Sequence, residues 1–455
     1  MSVSPVMERL SAYIAGALRR PLPRAVAEKT AHHLLDTVAA MVSGVRLRPG
    51  RKALAFARSR GGPREACVAG GGFLVAAENA ALANGMLAHA DETDDSHAPS
   101  LTHPGCGIVP AALAMAEREG RSGRALLRAI ALGYDVGCRL TQALDAYQFR
   151  EDGHSTHSFG PMFGAAAAAG ALAGLTARQV RYLLSYTAQQ ASGISCWMRD
   201  EDHVEKAFDF GGMPARNGVA AALMVAHGFT GVDDALSGER SFFVAYGRRP
   251  EPHRLVDGLG ETYEVMNTNI KRWSVGSPIQ APLDALDELI RENSVKADQV
   301  KRVVVRVAHQ GANTTDNRTM PDICMQHLCA VMLLDGSVSF KAAHDEKRMR
   351  DPRVLALRAR VELLGDDELS RAMPSRQGIV ELELADGRRL RRHARAVRGT
   401  AENPMTRAEV RAKAYDLAAP VLGERRARRL CDALLDVEAI RDVRQLRPLL
   451  KEERR

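Results

Sequence analysis

Cysteine and aromatic residues are scarce in this chain, and both shortages narrow what it can do. The 7 cysteines are scattered along 455 residues without a Cys-x-x-Cys pair, which argues against disulfides, structural zinc and iron–sulfur clusters. Aromatic residues are only 5% of the chain and do not alternate with basic ones as in a nucleic-acid surface. Walker A, nucleophile-elbow and dinucleotide-binding motifs are missing too.

Lysine is also rare. Of the 63 basic residues, 53 are arginine and 10 are lysine. The net charge of +8 therefore comes mainly from arginines that are spread along the chain and interleaved with acidic residues. This distribution indicates solvated surfaces and compositional bias. We expect no nucleic-acid partner, and a small anionic substrate fits the excess of positive charge better.

Long apolar runs and a secretory signal are absent from the sequence. Residues 158–175 come nearest to a membrane span, but they are mostly Ala and Gly and too weakly apolar to insert, so they predict a buried helix. The first residues include Glu8 and lack the charged-then-apolar signal pattern. We expect a cytoplasmic chain without a membrane partner.

Apolar residues recur with a helical period from residue 5 to about 230. Thr176 is a predicted helix N-cap, Gly228 a predicted helix end, and Gly160 with Gly164 a small-x-x-x-small pair that lets helices approach closely. After about residue 262, apolar residues alternate as in strands, and Asp386 with Gly387 predicts a hairpin turn.

These patterns predict a mostly α fold with a large all-helical domain and an inserted smaller α+β domain. The predicted limits are 1–268 plus 399–455 for the helical domain and 269–398 for the insertion. The helical period returns beyond the insertion, so we expect the tail to pack back on the first domain.

The densest polar cluster runs from His89 to His97 and continues to His103, in a loop between two apolar helices. It contains acidic residues and histidines that are costly to order unless they are used. A solvated acidic loop, a metal site and a metal-free acid/base site all fit this composition. The spacing matches no established metal motif such as His-Glu-x-x-His.

Two further groups are candidates for chemistry. His154 and His157 precede the Ala/Gly helix, where a helix N-terminus favours neutral imidazole and can hold an anion. Lys206 and Lys271 lie among apolar neighbours, and each suits a substrate carboxylate or, if desolvated, a base. Arg272 beside Lys271 strengthens the interpretation as an anion site.

Five segments resemble successive blocks of the MmgE/PrpD family, which includes 2-methylcitrate dehydratase and cis-aconitate decarboxylase. They are HADETDDSHAPSLTHPG, GHSTHSFGPMFGAAAAAGALAGL, EKAFDFGGMPARNG, NIKRWSV and CMQHLCAVMLLDG. The resemblance implies a helical domain with an α+β lid, a homodimer, and an active site in the cleft between the domains. It also implies that no metal or organic cofactor is needed and that the substrate is a small di- or tricarboxylate.

The resemblance implies catalytic roles for His103, His154, Lys206 and Lys271. The predicted substrate-binding residues are Glu92, Asp94, Asp95, Ser96, Arg272, Gln280 and His327. Relatives often have Asp at position 92 and Thr at position 96. His327 stands where the decarboxylase has tyrosine and Gln280 where many members have histidine, so these departures disfavour cis-aconitate decarboxylation.

The sequence therefore predicts a cofactor-free lyase that removes water, as 2-methylcitrate dehydratase does. Epimerisation of a substrate like iminodisuccinate and decarboxylation of one like cis-aconitate are alternatives within the family. A non-catalytic dicarboxylate-binding protein is an alternative from another class.

Overall fold

The computed structural model describes residues 3–453, which fold into two compact units. Unit 1 comprises Met1–Thr268 and Arg407–Arg455, and unit 2 comprises Asn269–Thr406. The ends of the predicted helical domain, residues 1–2 and 454–455, lie outside the described residues. Helices account for 61% and strands for 9% of the structure, which confirms the mostly α fold class.

The amino-terminal part of unit 1 contains twelve helices and one short two-stranded sheet within the described residues. The helices are α1 (Pro5–Gly16), α2 (Arg24–Gly44), α3 (Arg48–Arg60), α4 (Ala77–Ala88), α5 (Pro104–Arg118), α6 (Gly123–Ala143), α7 (Ala146–Glu151), α8 (Thr156–Leu172), α9 (Ala177–Gln190), α10 (Val204–Ala207), α11 (Met213–Ala226) and α12 (Phe242–Tyr246). The strands are β1 (Ala66–Cys67) and β2 (Leu74–Val75), paired antiparallel. One π-helical turn, Phe208–Gly212, separates α10 from α11.

Local signals begin and end these helices where the sequence predicts. Thr176 caps α9 in a capping box, since its side chain accepts from the Gln179 backbone N–H and the Gln179 side chain accepts from the Thr176 backbone N–H. Gly228 follows α11 with φ of 91°, a conformation that glycine adopts without steric cost.

Helix α8 is the buried centre of unit 1, as the sequence predicts. All its residues are buried, and it packs closely on α6. A Cβ atom at Gly164 would lie 2.5 Å from the carbonyl oxygen of Gly133, and one at Gly160 would lie 2.8 Å from that of Gly137. Small residues therefore allow the close approach. Among residues 3–453, no helix has the length and apolar character needed to cross a membrane.

Unit 2 is built on a four-stranded sheet whose strand order is β4-β3-β5-β6. Its elements are α13 (Gln280–Asn293), β3 (Val300–Ala308), α14 (His309–Thr315), α15 (Met325–Asp335), α16 (Phe340–Ala343), α17 (Pro352–Arg358), β4 (Val361–Asp366), α18 (Asp367–Arg371), β5 (Gly378–Leu384) and β6 (Arg389–Ala394). Strand β3 pairs parallel to β4 and antiparallel to β5. Gly387, with φ of 88°, lies in the predicted hairpin turn between β5 and β6.

The chain returns to unit 1 in α19 (Arg407–Leu422) and α20 (Glu424–Leu435). Both helices pack on α2, far from them in sequence. Val410, Ala414 and Leu417 on α19 are buried at helical spacing, so one apolar face attaches this helix to the unit.

Candidate active site

The loop between α4 and α5, residues 89–103, is buried in unit 1. Asp94 and Asp95 are both 0% exposed. His89 caps the carboxyl end of α4, and His103 immediately precedes the first residue of α5. Carboxylates are buried only with partners, so this loop is not the solvated acidic loop that the sequence left open.

Asp94 lies between two imidazoles. Its Oδ2 is 2.9 Å from Nδ1 of His89, and its Oδ1 is 3.1 Å from Nδ1 of His103. Burial pushes the pKa of Asp94 upward, but the charges and hydrogen bonds of the two histidines outweigh it and hold the pKa well below its usual range. An ionised carboxylate only accepts hydrogen bonds, so each imidazole donates from Nδ1. Nε2 is then the atom of each ring that can accept a proton.

Asp95 anchors the same loop to three helices. It accepts hydrogen bonds from Nδ1 of His33 on α2 at 2.7 Å and from the hydroxyl of Tyr134 on α6 at 2.5 Å. The backbone N–H of Gly105 at the start of α5 donates to it at 2.9 Å. Burial raises the pKa of Tyr134 and lowers that of His33, so both stay neutral as donors. Asp95 therefore fixes the loop, and the neighbouring Ser96 is half-buried.

Imidazole rings from three segments meet around Phe210. The ring centroid of His103 lies 5.1 Å from that of His89 and 5.3 Å from that of His157, and His203 lies 5.2 Å from His89. Phe210, on the π-helical turn, stacks on His157 at 3.8 Å and on His89 at 4.3 Å. Such turns are frequent at functional sites.

Two rings of this cluster are held neutral. Burial lowers the pKa of His157 well below its usual range and that of His203 to about 3. Nδ1 of His157 and Nε2 of His203 are buried without a hydrogen-bond partner. His203 also has a left-handed backbone, with φ of 59°, which costs energy in a non-glycine residue. Unpaired buried nitrogens and strain are typical of a binding site.

Lys206 brings a positive charge to this cluster. Its ammonium pairs with the carboxylate of Glu92, and their side chains are 18% and 11% exposed. Nζ lies 5.5 Å from the centre of the Trp197 ring and 5.3 Å from that of Phe210. A largely buried ammonium beside aromatic faces suits an anionic ligand.

The structure brings His157, and not the predicted His154, into ring contact with His103. His154 stacks on Phe149 at 4.5 Å and contacts Tyr246 at 5.8 Å. The two histidines are three residues apart, and only His157 lies within α8. Four residues of this cluster are not among the predicted catalytic or substrate-binding residues, and all lie inside or beside the family-like segments: His89 and His157, which the sequence singled out without a role in the reaction, and His203 and Phe210, which it did not single out.

Four predicted site residues belong to unit 2. Lys271 is 3% exposed. The guanidinium of Arg272 pairs with Asp284 at 3.2 Å and Asp287 at 2.9 Å, so its charge is already balanced. Its carbon Cζ lies 4.3 Å from the Trp273 ring centre.

Gln280 and His327 have different surroundings within unit 2. The Gln280 side chain accepts from the Trp273 backbone N–H at 3.1 Å and donates to the carbonyls of Trp273 and Val275 at 2.8 and 2.9 Å. It therefore holds the backbone that follows Lys271. His327 is 0% exposed with both ring nitrogens unpartnered, and burial lowers its pKa to about 4.

Two overlapping groups in unit 1 have donor atoms close enough for one cation. They are His89 with Asp94 and His103, and His89 with Glu92 and His203, and the ligand atoms of each lie within 4.8 Å of one another. In the first group Asp94 already accepts from both imidazoles. In the second, the Lys206 ammonium on Glu92 would repel a metal ion. The arrangement therefore suits proton transfer better than metal binding.

Comparison with known proteins shows what the chain is similar to. The MmgE/PrpD N-terminal domain matches residues 8–255, and the MmgE/PrpD C-terminal domain matches residues 273–437. The chain is 25% identical to the cis-aconitate decarboxylase-like protein oryM of Aspergillus oryzae, over 95% of this chain and 94% of that protein. It is 24% identical to cis-aconitate decarboxylase of Aspergillus terreus, over 94% and 92% of the two chains.

The two matched domains cover most of the chain, from the first helix of unit 1 to the last helix of its carboxyl-terminal part. They include the buried loop, the histidine cluster and Lys206, whereas Lys271 lies between the two matched ranges. The chain belongs to the MmgE/PrpD family.

Proposed function

We propose that this protein is a lyase that removes water from a small di- or tricarboxylate without a metal or organic cofactor. The observation that carries the proposal is the ionised Asp94 hydrogen-bonded to His103, in the same buried cluster as Lys206. The Asp94 carboxylate orients the base, and the Lys206 cation lies in the same cluster. This arrangement suits the removal of a proton from a carbon atom that carries a substrate carboxylate.

His103 is the base in this proposal. Asp94 accepts from Nδ1, so Nε2 takes the proton from the carbon, and the imidazolium that forms is stabilised by the carboxylate. The C–H and C–O bonds break, a C=C bond forms, and the proton leaves with the hydroxyl as water. One imidazole that accepts and then donates the proton therefore balances the reaction.

In this proposal, the Lys206 ammonium leaves the Glu92 carboxylate and binds a substrate carboxylate instead. Its ammonium also stabilises the negative charge that develops when the neighbouring carbon loses its proton. Trp197 and Phe210 beside the ammonium limit its contact with water, which strengthens these interactions.

In this proposal, His157 has the catalytic role that the sequence analysis predicted for His154. It is neutral, and its ring centroid is 5.3 Å from that of His103. A neutral imidazole offers one donor and one acceptor, so it can orient the departing hydroxyl without adding charge. In unit 2, we propose the buried Lys271 as a second group for carboxylates, whereas Arg272 is already neutralised.

Decarboxylation is the second candidate, because the two relatives compared above carry the names cis-aconitate decarboxylase and cis-aconitate decarboxylase-like protein. The same oriented histidine serves this reaction by protonating the carbon from which carbon dioxide departs. Position 327 bears on this choice, since a tyrosine is expected there in the decarboxylase and this chain has His327.

The test is proton NMR of the purified protein with citrate, 2-methylcitrate, cis-aconitate and iminodisuccinate in deuterated water. We expect a new alkene signal from a hydroxy-tricarboxylate. Loss of carbon dioxide from cis-aconitate would instead favour the second candidate, and exchange of one proton without a new product would indicate epimerisation. If folded protein changes none of these compounds, the proposal of a polycarboxylate lyase is wrong.

A further inference from the structure

Lys413 on α19 reaches into the interior of unit 1, although it is more than 300 positions from the buried loop in sequence. Its side chain is 6% exposed. The ammonium lies 2.6 Å from Oδ1 of Asp36 on α2, and it donates a hydrogen bond to the backbone carbonyl of Thr93 at 3.0 Å. One lysine therefore links α19, α2 and the loop that contains Asp94.

The contact with Thr93 acts directly on the candidate active site. Asp94 is the next residue, and its carboxylate holds both His89 and His103 by their Nδ1 atoms. A shift of the Thr93 carbonyl would therefore move the carboxylate that orients the base. Misplacement by about 1 Å can lower a reaction rate by about 100-fold.

Lys413 also supplies positive charge where negative charge accumulates. Burial, helped by the nearby carboxylates of Asp95 and Asp94, raises the pKa of Asp36 to about 6, although the Lys413 ammonium acts to lower it. Lys29 is a second cation facing Asp95 and Asp36, and burial lowers its pKa to about 8. Buried charges persist only when they are paired, so the loss of Lys413 would leave Asp36 poorly compensated.

We propose that Lys413 is a positioning residue of the active site, which holds the Thr93 carbonyl and thereby the Asp94 carboxylate in register with His103. Its ammonium is a compact charge with three donors, which fits a carboxylate and a carbonyl at once. The expected effect on kcat rests on the proposed function, whereas the expected effect on hydrogen–deuterium exchange in the loop does not.

Three variants separate positioning from stability. Lys413→Met removes the ammonium. The double variant Asp36→Asn with Lys413→Met also removes the buried carboxylate charge. Arg411→Met, on the same helix, removes a half-exposed ion pair with Asp432 and is the matched control.

The measurements are kcat and KM on the compound of the NMR panel that the wild type turns over, Tm, and hydrogen–deuterium exchange of peptides from residues 89–103. We expect Lys413→Met to lower kcat by about 10- to 100-fold with KM changed less than about threefold, and to speed exchange in the loop. The double variant regains Tm but not kcat, because Thr93 still lacks its donor. Arg411→Met behaves like the wild type.

Recovery of kcat together with Tm in the double variant would overturn the proposal, because Lys413 would then have only a stabilising role. Unchanged exchange of residues 89–103 in both Lys413 variants would overturn it as well. If the wild type turns over no compound of the panel, the proposed function fails, and the exchange experiment still decides whether Lys413 positions the loop.

Discussion

The interiors of the two units differ in what they bury. Unit 2 packs its sheet and helices around an aliphatic core with residues such as Leu328, Val303 and Val380. Unit 1 encloses a connected set of carboxylates, imidazoles and lysines around Asp94 and Asp95. An aliphatic core provides stability, whereas a buried polar network costs energy unless every member is paired.

This difference indicates which buried groups within each unit are candidates for chemistry. In unit 2, Arg272 pairs with two aspartates and Gln280 with backbone groups, whereas the buried ring of His327 lies without a hydrogen-bond partner. In unit 1, the rings of His89, His157 and His203 each have a buried nitrogen without a hydrogen-bond partner, and these rings lie close together around the ionised Asp94 and Phe210. The four predictions below test this contrast in order of decreasing effect.

Histidine substitutions in unit 1 give the largest expected effect. We expect His157→Ala to lower kcat/KM by about 100-fold, because the departing hydroxyl loses the imidazole that orients it. His154→Ala, three residues away in a different ring cluster, is the control and should change kcat/KM by less than about threefold. Equal losses in both variants would contradict the placement of His157 in the site.

A core substitution in unit 2 should act on stability instead. Leu328→Ala removes a fully buried side chain, so we expect the free energy of unfolding to fall by about 2–5 kcal/mol. Urea unfolding measures this loss, and kcat at a temperature where the variant stays folded should match the wild type. A large drop in kcat without a loss of stability would erase the contrast between the units.

The pH dependence of stability gives a smaller effect, which both interiors should share. Burial lowers the pKa of His32 in unit 1 and of His327 in unit 2 from 6.5 to about 4. Each ring is neutral in the folded state and binds protons more readily when unfolded, so stability falls as pH drops from about 6.5 towards 4.

Each histidine should therefore cost about 2 kcal/mol of stability between pH 7 and pH 5. Urea unfolding of His32→Gln and His327→Gln at both pH values should show each variant gaining that amount relative to the wild type. A difference between variant and wild type that does not change with pH would show that the ring is not held neutral.

Removal of metal should have the smallest effect. Among the described residues, the candidate cation group without Asp94 contains His89, Glu92 and His203, and the Lys206 ammonium already pairs with Glu92 there. Dialysis against EDTA should therefore leave kcat within about twofold of its original value. Loss of activity that zinc or iron(II) restores would contradict this and would make His89, Glu92 and His203 metal ligands.

Much of this could be predicted from the sequence, because the signals are local. The helix caps, the Asp386-Gly387 hairpin and the glycine pair of α8 each depend on neighbours a few residues away. The density of acids and histidines singled out the loop of residues 89–103 as a candidate site, whereas its burial was not predicted.

The remaining features depend on contacts between distant segments. His154 and His157 have similar surroundings in sequence, and only the start of α8 and the position of Phe210 distinguish them. Asp94 and Asp95 are predicted to bind substrate, and the sequence does not show that their carboxylates accept hydrogen bonds from His103 and His33. Lys413 carries no motif, and its contact with Thr93 requires the chain to return after unit 2.

In the proposed reaction, the ionised Asp94 holds His103 as the base. The most direct test of this role is kcat/KM of Asp94→Asn on the substrate of the wild type, with circular dichroism to confirm folding. We expect a loss of about 100-fold or more, because an amide can no longer orient and stabilise the imidazolium. A folded Asp94→Asn variant with kcat/KM within about threefold of the wild type would contradict it.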